Sequence, residues 1–180
     1  MPRTLLSAVL LASALHLQVD TQSDEPPLTL LTESNVSLPR AGQAARARLL
    51  GQQPIYSVAV YVTGSLSDRD HLASPEVPKM LRIATTEEED LYRRVVLDWR
   101  QELVPLLEPA EATHLRGAFA SLRGGDLVVV EYVPNKGTAV RVNKAVAVPS
   151  AGHDLMLAFL DHWLGQRPVS EELKRALLGM

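Results

Sequence analysis

The sequence predicts an α+β fold, because strands and helices occur in blocks along the chain instead of in strict alternation. Three β-rich segments, 127–133, 138–142 and 145–148, follow one another with only short turns between them. Turns this short join antiparallel strands, since a parallel crossover needs about a dozen residues. Two helical patterns precede this block and two follow it. We therefore expect an antiparallel meander combined with separate groups of helices.

An earlier strand pair is predicted between residues 46 and 63. Side chains of alternating type, typical of a strand, begin at Arg46. The turn falls at residues 51–54 (GQQP), and a second strand with the same alternation follows it. One face of that second strand carries Tyr56, Val58, Val60 and Val62, and the other carries Ser57, Ala59, Tyr61 and Thr63. Residues 79–84 (KMLRIA) form a further short strand.

Capping residues and apolar stripes define the four helices. The first begins at the N-cap Thr86, with Glu89 completing a capping box, and ends at Pro105. The second begins near Glu108, the third ends at Gly165, and Ser170 caps the fourth. The large aromatic residues of these helices, Trp99, Phe119, Phe159 and Trp163, are expected to be core residues rather than a cofactor site.

The N-terminal residues have the pattern of a secretory signal peptide. Arg3 precedes an uncharged, mostly apolar run from Thr4 to Val19, and the small triplet Ala12-Ser13-Ala14 lies within it. The run is shorter than the roughly 20 residues that a membrane span needs, so no integral membrane segment is expected after processing. The alternative is a buried helix of the mature fold. We divide the chain into a signal peptide (1–19), a flexible polar lead-in (20–27) and one domain (28–180).

Composition excludes several classes of function. The chain has no cysteine, which excludes disulfides, thiolate metal sites and a cysteine nucleophile. The net charge of −3 and the absence of a Lys/Arg-rich run argue against a nucleic-acid partner. No cofactor motif is present, and the oligomeric state is not determined by the sequence.

No group of residues in the sequence has the spacing of a catalytic or metal-binding motif. His153 and His162 lie on opposite sides of their helix, so they cannot share a metal ion. Ser150, His153 and Asp154 lack a nucleophile-elbow sequence. We therefore predict no catalytic residue, no metal site and no cofactor.

Two arginines of the first hairpin strand stand out. Arg46 and Arg48 share one face beside a mainly apolar strand. If that face is covered, a guanidinium there needs an anionic partner. The partner can be a carboxylate of the protein or an acidic ligand, and the residues alone leave both open.

The order of motifs resembles the bacterial, secreted branch of the chalcone isomerase-like family. The C-terminal half carries most of this resemblance, through GDLVVVEYVPNKGTAVRVN (125–143) and AGHDLMLAFLDHWLGQRPVSEELKRALLG (151–179). The N-terminal half contributes RLLGQQPIYSVAVYV (48–62), KMLRIA and Trp99. Two positions depart from the pattern: Lys144 stands where a turn glycine with positive φ is expected, and His153 replaces a small or acidic residue.

The resemblance implies an open-faced β-sandwich, in which helices cover one face of a large antiparallel sheet and a ligand cleft lies between the two layers. Plant members of the family isomerise chalcones to flavanones. Related non-catalytic members bind fatty acids, with an arginine and a tyrosine holding the carboxylate.

The family's site residues map onto this chain one by one. The arginine falls on Arg48, and the tyrosine of the second hairpin strand falls on Tyr61. The threonine, tyrosine and asparagine of the catalytic enzymes fall on Tyr56, Glu88 and Val95. A valine side chain neither donates nor accepts a hydrogen bond, so the enzymes' polar network is not reproduced.

These observations lead to one preferred hypothesis about the function and two alternatives. We expect an exported, periplasmic, non-catalytic protein that binds a small lipophilic ligand, for example a fatty acid, through Arg48 with Tyr56 or Tyr61. The first alternative is an isomerase or intramolecular lyase that uses non-standard residues in the same cleft. The second is a structural or partner-binding protein whose own side chains fill the cleft.

Overall fold

The computed structural model describes residues 25–32, 34–47, 54–85 and 103–180. The α+β class is confirmed: seven antiparallel strands form one sheet in the order β1 to β7, and the described residues include four α-helices. The strands are β1 Thr29–Leu31, β2 Ser37–Ala47, β3 Pro54–Val62, β4 Lys79–Thr85, β5 Leu127–Val133, β6 Gly137–Val142 and β7 Ala145–Ala151. The helices are α1 Arg69–Ala73, α2 Pro109–Ser121, α3 His153–Leu164 and α4 Glu171–Leu178, with a short 3-10 helix at Val104–Leu106.

One face of the sheet, here called the inner face, carries the main core. Strand register aligns Val58, Ile83 and Val128 across β3, β4 and β5, and a second row runs through Val60, Leu81 and Val130. The helices cover these rows with buried side chains that include Leu115, Phe119, Leu155, Phe159, Trp163, Leu173 and Leu177. Phe119, Phe159 and Trp163 are thus core residues, as predicted, whereas Trp99 lies outside the described residues.

The opposite, outer face of the sheet has a smaller apolar cluster. Leu38, Ala59, Tyr61 and Met80 are buried there, with Leu30 of β1 packed against them. Pro26 is also buried, and its carbonyl oxygen accepts a hydrogen bond from Arg40. This part of the lead-in therefore lies against the sheet.

The N-terminal strands differ most from the sequence-based prediction. Strand β1 was not predicted, and β2 begins at Ser37 rather than Arg46. Strand β2 contains Pro39 and Gly42, residue types that weaken a strand prediction. Gly42 is required by packing, because a Cβ atom there would lie 2.2 Å from the carbonyl oxygen of Leu177 in α4.

The remaining elements agree more closely with the predicted pattern. Ser170 caps α4 by accepting a hydrogen bond from the backbone N–H of Leu173 at 3.2 Å. Helix α2 and strands β4 and β5 lie where the pattern places them, and α1 is an additional five-residue helix. The helix predicted from Thr86 to Pro105 falls largely outside the described residues. No described helix combines the length and the apolar character that crossing a membrane requires.

The β6–β7 turn places two residues in the left-handed region. Asn143 has φ of 50° and Lys144 has φ of 73°, the pattern of a tight two-residue hairpin. Asparagine tolerates this conformation, whereas lysine pays a steric cost. The strain expected at Lys144 is thus present in the backbone.

We expect Lys144→Gly to raise the free energy of unfolding by about 0.5–1 kcal/mol. A side chain in the left-handed region costs about 1–2 kcal/mol, and the flexibility of glycine cancels part of the gain. Urea denaturation monitored by circular dichroism measures the change. Lys136→Gly is the matched control, because Lys136 lies in the β5–β6 turn without a positive φ and its replacement should destabilise the protein. An unchanged or lower stability of Lys144→Gly would contradict the strain.

Candidate functional site

The inner face contains a buried polar pair at the start of β3. Tyr56 is 1% exposed, and its hydroxyl oxygen accepts a hydrogen bond of 3.0 Å from Nε1 of Trp163 in α3. The two rings meet edge to face, with centroids 6.4 Å apart and an interplanar angle of 62°. Phe159 stacks on Trp163 at a centroid distance of 6.5 Å and an interplanar angle of 20°. The tyrosine is therefore held by both a hydrogen bond and aromatic packing.

The chemistry of this pair determines the direction of the Tyr56 hydroxyl. An indole N–H can only donate, so the phenol oxygen is the acceptor in this contact. The hydroxyl hydrogen of Tyr56 must then point away from Trp163. The phenol can therefore donate only to a group other than Trp163.

Tyr61 lies on the opposite face of the sheet from Tyr56. Five positions separate the two residues on one strand, and side chains alternate between faces. The Tyr61 hydroxyl donates to the carbonyl oxygen of Pro27 at 2.9 Å. Burial raises the pKa of Tyr61, and the neighbouring Arg82 and Arg40 oppose that rise. A cleft between sheet and helices can therefore involve Tyr56 but not Tyr61.

The other residues carried over from the family fall outside the described residues. These are Arg48, which is the expected carboxylate-binding residue, and the positions Glu88 and Val95 of the catalytic network. Arg48 therefore remains a prediction from sequence. Within the described ranges, no three His, Asp or Glu side chains are grouped so that they could hold a metal ion.

A second buried polar cluster, which sequence reasoning missed, lies where β4 meets α3. Lys79 is 0% exposed, and its Nζ donates to the carbonyl oxygens of Leu72 and Ser74, each at 2.8 Å. The same Nζ lies 3.0 Å from Nε2 of His153, the first residue of α3. The Tyr132 ring completes the cluster, with its centroid 5.1 Å from the lysine Nζ and 4.4 Å from the imidazole centroid.

Burial shifts the pKa values of all three residues in this cluster. Desolvation lowers the pKa of Lys79 to about 8. Burial and the nearby Lys79 lower the pKa of His153, and Asp154 opposes the shift. Burial and Glu76 raise the pKa of Tyr132, whose hydroxyl donates to the carbonyl oxygen of Pro75 at 2.7 Å.

One sequence signal could have revealed the cluster. Lys79 alternates in phase with Leu81 and Ile83, so the strand pattern itself directs the lysine toward the core. A buried lysine needs acceptors for its three hydrogens, and such acceptors indicate a specific tertiary contact. The unusual histidine at the start of α3 is the second part of that contact.

The fold resembles that of a solved protein with a described ligand class. A fatty-acid binding protein of Arabidopsis thaliana superposes with a TM-score of 0.56 and 14% sequence identity, covering 83% of this chain and 95% of the plant chain. At this identity the likeness concerns the fold. No curated protein matches the sequence.

A match over most of the chain establishes its family. The model of the family described as chalcone isomerase-like matches residues 31–179, which include every described strand and helix apart from the first two residues of β1. The match spans both the sheet and the helix layer that covers its inner face. The chain belongs to the chalcone isomerase-like family.

Proposed function

We propose that this protein is an exported, non-catalytic binding protein whose ligand is a fatty acid or a similar lipophilic acid. The observation that carries the proposal is the Trp163–Tyr56 contact, which holds a phenol on the mainly apolar, helix-covered inner face of the sheet. An apolar wall with one oriented donor suits a long-chain molecule that has an acceptor at one end. The fold shared with a fatty-acid binding protein supports the same ligand class.

Arg48 and Tyr56 are the proposed head-group residues. Tyr56 is chosen over Tyr61 because Tyr56 faces the helices. The Tyr61 hydroxyl lies on the outer face of the sheet, where it donates a hydrogen bond to the carbonyl oxygen of Pro27. A guanidinium presents a planar pair of donors that matches a carboxylate. The phenol adds a third donor, which holds the acid more firmly than an alcohol or an ester.

The ligand's tail is proposed to lie along the inner face. The row formed by Val58, Ile83 and Val128 across β3, β4 and β5 provides an aliphatic surface. Each methylene transferred from water to such a surface contributes about 0.8 kcal/mol. Affinity should therefore rise with chain length until the cleft is filled.

Isomerisation in the same cleft is the alternative function. The positions that carry threonine, tyrosine and asparagine in the enzymes are Tyr56, Glu88 and Val95 here. Without those polar side chains, we expect no chalcone cyclisation above the uncatalysed rate, measured by the loss of chalcone absorbance. Cyclisation at an enzymatic rate that Arg48→Lys abolishes would overturn the non-catalytic reading.

The export proposal rests on the N-terminal sequence pattern alone. Arg3, the apolar run and Ala12-Ser13-Ala14 favour cleavage that leaves a mature N-terminus between Leu15 and Ser23. The periplasm of a bacterium is the proposed location. Intact-mass measurement of the exported protein would contradict this if residues 1–20 were retained.

The two tyrosines of β3 provide a matched pair of variants. We expect Tyr56→Phe to weaken the binding of dodecanoate about tenfold or more, in line with a hydrogen bond to a charged group. Tyr61→Phe should leave dodecanoate affinity unchanged and lower the free energy of unfolding by about 0.5–1.5 kcal/mol, because it loses the bond to Pro27. Titration calorimetry and urea denaturation measure the two effects. The reverse result would place the ligand on the outer face.

Arginine-to-lysine replacements test the head-group site. We expect Arg48→Lys to weaken dodecanoate binding by roughly 1.5–3 kcal/mol, since an ammonium cannot reproduce the paired donors of the guanidinium. Arg82→Lys is the control, because Arg82 lies on the outer face of the sheet beside Tyr61. Equal affinities of Arg48→Lys and the wild type would show that Arg48 forms an internal ion pair and that the acid binds elsewhere.

A further inference from the structure

The polar cluster of Lys79, Tyr132 and His153 plays no part in the function proposed above. It joins the N-terminal end of α3 to the sheet, at the opposite end of the helix from Trp163. We propose that the Lys79–His153 contact is a proton-operated latch, which fastens α3 at neutral pH and releases it in mild acid, lowering the affinity of the cleft. The effect on affinity rests on the proposed function, whereas the latch itself does not.

The number of hydrogens on Lys79 Nζ and the number of acceptors around it require a neutral His153. An ammonium group has three hydrogens, and three acceptors surround Lys79 Nζ: the Leu72 oxygen, the Ser74 oxygen and His153 Nε2. The imidazole accepts at Nε2 only when its single proton is on Nδ1. A protonated imidazole would instead direct an N–H at the ammonium group 3.0 Å away. Protonation therefore converts an attractive contact into a repulsive one.

The surroundings of His153 oppose its protonation at neutral pH. Lys79 faces it from β4 and the Tyr132 ring faces it from β5, with Glu76 acting on Tyr132. On its own helix, the exposed Asp154 is the neighbouring anion and favours the charged imidazole. The positive end of the α3 dipole disfavours it. Burial and Lys79 outweigh Asp154, so the pKa of His153 lies below its ordinary value of 6.5.

Helix α3 connects the latch to the proposed head-group site. Ten residues separate His153 from Trp163, which corresponds to about 15 Å along a helix. Trp163 donates the hydrogen bond that orients Tyr56. Movement of α3 at its N-terminal end would displace Trp163 and leave the Tyr56 hydroxyl without a fixed direction. The affinity for an acidic head group then falls.

The sign of the pH dependence follows from the two lowered pKa values. Between pH 6.5 and the lower folded-state pKa of His153, the unfolded chain binds more protons than the folded protein, so the free energy of unfolding falls as the pH falls. Lys79 acts in a separate alkaline window. Its pKa of about 8 lies below the unfolded value of 10.5, so stability rises with pH between those values. Of these two groups, only His153 acts in the acid window.

The test compares the wild type with His153→Gln, whose amide oxygen can accept from Lys79 but does not titrate. The probe is dodecanesulfonate, which stays anionic at both pH values. We expect the wild-type dissociation constant to rise at least fivefold from pH 7.5 to pH 5.0, within the usual range of coupling between sites. The rise should be less than twofold in His153→Gln. His114→Gln on α2 is the control histidine variant and should retain the full pH dependence, because His114 is exposed.

Two further measurements separate failure of the latch from failure of the proposed function. Urea denaturation at pH 7.5 and pH 5.5 needs no ligand, and the wild type should lose more stability than His153→Gln. His153→Leu, which cannot accept from Lys79, should bind dodecanesulfonate weakly even at pH 7.5. Absence of binding at any pH refutes the proposed function, and the denaturation data then decide the latch. Equal pH dependence of the wild type and His153→Gln in both measurements overturns the latch.

Discussion

The position of helix α3 on the inner face of the sheet is the constraint on which the rest of the structure depends. Apolar packing holds the helix against the sheet, through side chains that include Leu155 and Phe159. Apolar contacts alone are not directional, so they do not fix how far a helix slides along a sheet. Two hydrogen bonds fix the position of α3 along the sheet. Lys79 forms one with His153 at the N-terminal end of the helix, and Trp163 forms the other with Tyr56 at the C-terminal end. An unpaired polar group in this core would cost about 1–3 kcal/mol, so both pairs favour a single placement.

Much of this fold could be predicted from the sequence, and the reasons for the failures are physical. The β-branched run at 127–133 and the cap at Ser170 are local signals, and the structure confirms both. Strand β2 was predicted too short, because its alternation is interrupted by Pro39 and Gly42 and its stability comes from pairing with β3. Helix α1 has only five residues and one buried side chain, Leu72, so it presents no apolar stripe.

The candidate site was predictable only in part, for a different reason. Tyr56 could be identified through the family pattern, and alternation already separated it from Tyr61. The partner of Tyr56 could not be identified, because Trp163 lies 107 residues away and behaves in sequence like any other core aromatic. The same holds for Lys79, whose acceptors are two loop carbonyls and a histidine 74 positions later. Strand alternation indicates that Tyr56 and Lys79 face the core, but it does not indicate which distant residues they contact.

The location of the ligand on the inner face is the central claim, and methyl NMR with a spin-labelled fatty acid tests it most directly. The label broadens signals from nearby methyl groups, so a doxyl stearate in the cleft should broaden those of Val58, Ile83 and Val128. Unlabelled dodecanoate should reverse the broadening. The methyl groups of Ala59 and Met80, buried on the outer face, lie farther from the label and should be broadened less. Stronger reversible broadening of Ala59 and Met80 than of the inner-face methyl groups would contradict the account.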